Sequence, residues 1–137
     1  MMSDLSAPQQ AAALFIEAFN REDPEALNHL SSAPWVFVFG ANPVVYDKYS
    51  DAINFPALKE GGWNYSRVDA NELIFEDSDT AMVQLTVTRL TKENEVQAEV
   101  GVLYVLVKEE GQWKPKVAFT NPPVAPNGSF AATGIVR

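Results

Sequence analysis

Two short amphipathic helices stand first in this 137-residue chain and three long alternating segments stand last. That order constrains the fold more than any other feature. Residues 81–91, 96–108 and 113–121 are rich in β-branched and aromatic side chains, with the polar turns Lys92-Glu93-Asn94 and Glu109-Glu110-Gly111 between them. Residues 7–21 and 24–33 carry apolar residues at helical spacing. Helices followed by a run of strands predict an α+β domain, in which N-terminal helices pack on a curved, mostly antiparallel sheet that forms a cone with an internal pocket.

Local signals place the elements. Ser6 and Gln9 fit a capping box, with Pro8 in the first turn. Ala12, Phe15, Ile16 and Phe19 then make one apolar stripe. Asp23 caps a second helix, with Pro24 at its first position. Trp35 to Phe39 reads as a strand covered on both faces, Gly40-Ala41-Asn42-Pro43 as a turn, and Val44-Val45-Tyr46 as a short return strand. Residues 50–58 suggest a short helix carrying Ile53, Phe55 and Leu58. Gly61-Gly62 breaks the chain, and residues 63–76 form a long strand of mixed polarity. The domain spans 1–121, and a proline- and glycine-rich irregular tail covers 122–137.

Strand faces follow from alternation. Ala81, Val83, Leu85 and Val87 share one face. On 96–108, Val102, Tyr104 and Leu106 share one face and Leu103, Val105 and Val107 the other. Both sets are apolar, so alternation does not decide which one points inward. One set must leave the core, and an exposed patch of Val102, Tyr104 and Leu106, with Met82 and Leu90 nearby, predicts a homodimer. On the last strand, regular alternation turns Trp113, Pro115, Val117, Phe119 and Asn121 inward.

Composition removes several function classes. The net charge of −8 argues against nucleic-acid or anionic-membrane binding. Without cysteine there is no disulfide, thiolate metal site or cysteine nucleophile, and one histidine does not make a metal site. That residue, His29, lies off the apolar stripe of its helix and reads as a surface side chain. No cofactor loop, Ser-His-Asp set or Cys-His pair is present. No apolar run approaches the ~20 residues that span a bilayer. The start Met1-Met2-Ser3-Asp4 lacks the basic opening of a signal peptide, so a cytoplasmic protein is expected.

With these elements in place, the chain resembles the nuclear-transport-factor-2-like superfamily, the cone fold of SnoaL-like cyclases and ketosteroid isomerases. The resemblance covers about residues 8–121. It rests on Phe15…Phe19-Asn20-x-x-Asp23, on Trp35-Val36-Phe37-Val38-Phe39 and on Gly111-Gln112-Trp113-Lys114. It implies a six-stranded sheet whose concave face, lidded by helices, forms an apolar pocket, and it implies pairing through the outer face. The isomerase relatives use a tyrosine on the first helix and an aspartate on the first strand. An ungapped alignment puts Phe15 and Phe39 there, and neither ionises. The resemblance therefore does not carry steroid-isomerase chemistry to this chain.

The expected pocket is bounded by Phe15, Phe19, Trp35, Phe39, Phe55, Trp63, Leu85 and Phe119, with Tyr46 or Asn121 supplying hydrogen bonds. Asp47, Glu99, Arg89 and Tyr65 are the ionisable candidates for an inward position. Asp47 sits where turn residues are common. Glu99 and Arg89 each continue a largely apolar face, and the plainest reading of both is a solvated strand-end ion pair. Three functions remain: a small-molecule-binding domain with an apolar pocket; a SnoaL-like isomerase, cyclase or dehydratase acting on a hydrophobic carbonyl compound; and a non-catalytic dimeric interaction module. Cavity volume separates the first from the third. A carboxylate pointing into the cavity separates the second from the first.

Overall fold

The first helix, α1 (Ala7–Asn20), begins where the sequence says it must. The Ser6 hydroxyl accepts from Gln9 N, and the Gln9 side chain accepts from Ser6 N at 2.9 Å, which closes the capping box. Asp23 caps α2 (Pro24–Leu30) by accepting from Ala26 N at 3.1 Å. The computed structural model of the chain describes residues 5–120. Asn121 and the expected tail lie outside the described residues.

β1 (Trp35–Phe39) and β2 (Asn42–Tyr46) form a hairpin. A 3-10 turn (Tyr49–Ala52) and α3 (Phe55–Glu60) replace the single helix expected over 50–58. Their break falls where Asn54 caps α3 and Pro56 takes its first turn. Four long strands follow: β3 (Tyr65–Glu76), β4 (Thr80–Leu90), β5 (Val96–Glu109) and β6 (Gln112–Thr120). The sheet order is β2-β1-β6-β5-β4-β3, antiparallel except where β1 meets β6. α1 packs across the concave face against β3, β4 and β6.

Bulges make the curl. β3 slips register against β4 between Val68 and Ala70 and again between Leu73 and Phe75. Each extra residue bends the strand and increases its twist. At the first bulge, Asp69 accepts from the Thr88 hydroxyl and from Arg67 Nε. Those two hydrogen bonds, Thr88 first, hold its carboxyl below the usual carboxylate range.

A further bulge sets the phase of the last strand. Val105 pairs with Val117, but Leu106 pairs with Pro115, which leaves Lys116 as the extra residue. Pro115 and Ala118, three apart, are therefore both buried. Lys116 Nζ reaches across to donate to Ala33 O at 3.1 Å and Pro34 O at 3.2 Å, tying the bulge to the loop before β1. Ser32 Oγ in that loop donates to Glu109 Oε2 at 2.5 Å.

Beneath α1 the core is an aromatic stack. The Phe15 ring lies 5.8 Å from Trp35, 4.7 Å from Tyr49 and 5.8 Å from Tyr104. A second group joins Phe19 to Phe55 and Trp63 at 5.0 and 5.3 Å. Such ring pairs add about 0.5–1.5 kcal/mol each beyond their buried area.

Candidate functional site

A small cavity of about 60 Å³ lies between α1 and the inner face of the sheet. Its walls are Ile16 and Phe19 from α1, Val87 from β4, and Val100 and Val102 from β5, closed by Phe37 and Ile53. Its polar lining comes from Tyr49, Tyr104, Arg89 and Ser66, with Thr120 at the end of β6.

Each polar group is placed by a traceable piece of local structure. Asn28 donates to Ser50 Oγ and accepts from Ser50 N, both at 2.9 Å, and this clamp fixes the 3-10 turn that carries Tyr49. Asn20, the last residue of α1, does the same to β3: it donates to Ser66 O and accepts from Ser66 N, both at 2.8 Å. It thereby acts as one rung of an added strand on the edge of the sheet. Ser66 Oγ accepts from Trp63 Nε1 at 2.9 Å. Tyr104 and Arg89 come from neighbouring strands, on the faces of β5 and β4 that turn inward.

The electrostatics are unusual for an apolar cone. Arg89 is only 8% exposed. Burial lowers its pKa, and the nearby Tyr49 and Tyr104 phenols oppose that shift. An arginine starts so high that it stays a cation at neutral pH. Burial also pushes both phenols upward; for Tyr49 the neighbouring Tyr104 adds to the rise, and for both the Arg89 charge works against it. At neutral pH the site therefore presents one cation and two neutral O–H groups. Among the described residues no carboxylate lines the cavity.

Several expectations change position. Phe119 does not face the cavity; it is 43% exposed on the outer face, because the bulge at Lys116 inverts the alternation beyond Pro115. Val102, Tyr104 and Leu106 are not an outer patch but buried inward residues, and Leu103, Val105 and Val107 are the outward set. Arg89 is not a solvated strand-end residue. Of the expected lining among the described residues, only Phe19 borders the cavity. Phe15, Trp35, Phe39, Tyr46, Phe55, Trp63 and Leu85 are buried in the packing around it. Asp47 and Glu99 are exposed, and Tyr65 donates to Asn94 Oδ1 at the surface. His29 is exposed in the last turn of α2.

Tyr49, Ser66 and Tyr104 line the cavity without any sequence pattern that singles them out. Tyr49 carried no strand or helix signal, since its turn is held by a side-chain clamp from α2. An available clue was Asn20, a polar residue ending an apolar helix.

A six-stranded cone lidded by one long helix, with a largely apolar cavity, defines a class of α+β pocket proteins. Within that class, residues 9–123 match the family described as NTF2-like protein (DUF6841), and the chain belongs to that family. No curated protein matches the chain. Solved structures share the fold at low identity. A ketosteroid isomerase-like protein from Erwinia carotovora atroseptica SCRI1043 is 21% identical with a TM-score of 0.61, covering 85% of this chain and 94% of that one. An NTF2-like protein with a cystatin-like fold from Novosphingobium aromaticivorans is 16% identical with a TM-score of 0.63, covering 92% and 84%. A protein of unknown function with the same cystatin-like fold, from Nostoc punctiforme PCC 73102, is 14% identical with a TM-score of 0.64, covering 81% and 84%.

Among the described residues no helix is long and apolar enough to cross a membrane.

Proposed function

We propose that this protein is a small-molecule-binding domain that takes one end of its ligand into the cone. The observation that carries this is the cavity itself: apolar walls from α1, β4 and β5, with Arg89, Tyr49 and Tyr104 among the lining. A few polar groups at the end of an apolar cleft are the usual make-up of a ligand site. The volume of about 60 Å³ is several times the ~10–15 Å³ that one water needs on the same measure. It accommodates a small group of the ligand, and the open side leaves room for the rest. The isomerase or dehydratase alternative needs an inward base, and the described lining offers none. The isomerase-like relative shares the fold at 21% identity, which carries the fold and no residue role.

The test uses small aromatic probes, ethylbenzene and acetophenone, followed by calorimetry and by amide shifts in a ¹⁵N spectrum. Saturable shifts at Ile16, Val87 and Val102 support the reading, and Val102→Phe, which fills the space, abolishes them. Shifts absent at those amides, or undiminished in Val102→Phe, refute it and leave a filled interaction module.

The same reading includes a homodimer formed through the outer sheet face. Two apolar rows cross that face. One runs Val36, Val117, Val105, Met82, Phe75, and the other Val38, Phe119, Leu103. Phe75 is 46% exposed and Phe119 43%. Contiguous apolar surface of this kind marks interaction sites, and a self-complementary sheet face suits a second copy of the chain.

A further inference from the structure

We infer that Gly101, on the outer face of β5, is the seat of Phe119 from a second copy of the chain. The inference rests on the outer-face dimer proposed above and adds the contact that fixes how the two faces meet.

Its starting point is a glycine that its own chain does not require. Gly101 lies within β5 and pairs with Thr86 in regular register. The breaks in register fall elsewhere on these strands, between Arg89 and Leu90 and between Val105 and Leu106, so Gly101 makes no bulge. Its backbone is outside the left-handed region that Gly40, Gly62 and Gly111 adopt. A Cβ built on it meets no atom within 4 Å, so among the described residues nothing excludes a side chain there. Glycine inside a strand weakens it. Where no bulge or bend accounts for it, such a glycine marks a close approach from outside.

The missing side chain leaves a hollow on the outer face. It measures about 400 Å³, and Gly101, Val38, Gln84, Leu103 and Phe119 line it. Phe119 is 43% exposed, so much of its ring remains to be buried. A projecting aromatic and a hollow without a side chain therefore stand side by side on one face. These are the two halves of a self-complementary contact: about a twofold axis, each Phe119 enters the hollow of the other copy. Aromatic side chains seated in such pockets are the usual anchors of an interface.

Charge selects a second copy as the occupant. Each chain carries a net charge of −8, so two copies repel wherever charged surfaces meet. Across β1, β6, β5 and β4 the outer rows Val38-Phe119-Leu103-Gln84 and Val36-Val117-Val105-Met82 hold no charged residue. A basic partner finds its complement on the acidic remainder of the surface. The neutral apolar face suits another neutral apolar face.

The experiment measures dimer dissociation constants by sedimentation over about 1–100 µM, the range of modest affinities. It compares wild type with Gly101→Val, Phe119→Ala and the double variant. Valine suits a strand and meets nothing in its own chain, so Gly101→Val should fold with an unchanged or higher urea midpoint. Its dimer should nevertheless weaken at least about tenfold, because the hollow is filled. Phe119→Ala should weaken the dimer comparably, and the double variant should be little worse than either single one, since both remove one contact. The chain has no cysteine, so Gly101→Cys and Phe119→Cys each carry a single thiol. A thiol cross-linker of about 10 Å reach, the spacing of packed sheets, should join a mixture of these two variants faster than either alone. Wild-type affinity in Gly101→Val, or cross-linking no faster in the mixture, overturns the inference and leaves the outer-face dimer intact. A wild type that stays monomeric overturns both. If Gly101→Val does not fold, the cysteine pair decides.

Discussion

Truncating two phenylalanines should have very different consequences, and the difference measures the bulge at Lys116. Phe15 is fully buried and touches the Trp35, Tyr49 and Tyr104 rings. Phe15→Ala removes the transfer energy of the ring and leaves a cavity that a close-packed aromatic stack refills poorly. A cost of about 3–5 kcal/mol follows. Phe119 is 43% exposed and has solvent on one side. Slightly more than half of the ~1.5–3 kcal/mol for a fully buried side chain is at stake, about 1–1.5 kcal/mol, with no enclosed void. Urea unfolding at about 1 µM, below the dissociation constant of a modest dimer, separates the two. With a slope of ~2 kcal/mol/M, the midpoint should fall by roughly 1.5–2.5 M for Phe15→Ala and by roughly 0.5–0.8 M for Phe119→Ala. Equal shifts, or a larger one for Phe119→Ala, would mean that β6 keeps regular alternation and that its inward series was misassigned.

Three further outcomes are expected. Burial holds the Tyr49 and Tyr104 phenols protonated past the ordinary tyrosine value of 10.0. Below that pH both states keep the protons and nothing is gained or lost. Above it the unfolded chain releases them first, so stability should fall as pH rises beyond 10. Urea midpoints from pH 8 to 11 test this, and a Tyr49→Phe/Tyr104→Phe variant should flatten the decline. Asn20→Ala removes two 2.8 Å bonds to Ser66 and should cost about 1–3 kcal/mol. Asn20→Asp should be worse at pH 7 than at pH 4 relative to wild type, because an ionised carboxylate faces Ser66 O with no proton to give. Calorimetric melts at the two pH values decide it. Sedimentation at tens of micromolar, a working range for modest affinities, should show a dimer that Phe119→Lys dissociates. A 15.1 kDa species from wild type would refute the outer-face interface.

The sequence alone specified every element whose signal is local. The Ser6–Gln9 box, the Asp23-Pro24 start, the aromatic run from Trp35 and the three long alternating strands each appear within two or three residues of where they were read. These signals depend on neighbours in the chain, so no tertiary knowledge was needed. The inward stripe of α1 and the inward face of β4 followed from periodicity in the same way. What the tertiary structure decided was everything that depends on register. A single extra residue, Lys116, reverses which side of β6 faces the cone, and nothing in the composition of Trp113 to Thr120 announces it. Two apolar faces on β5 are indistinguishable until α1 covers one of them. Arg89 reads as solvated because its buried environment is supplied by Tyr49 and Tyr104, residues distant in sequence. The cavity is the remainder left after large rings pack, and a remainder belongs to the arrangement of all the side chains together, which no single segment encodes.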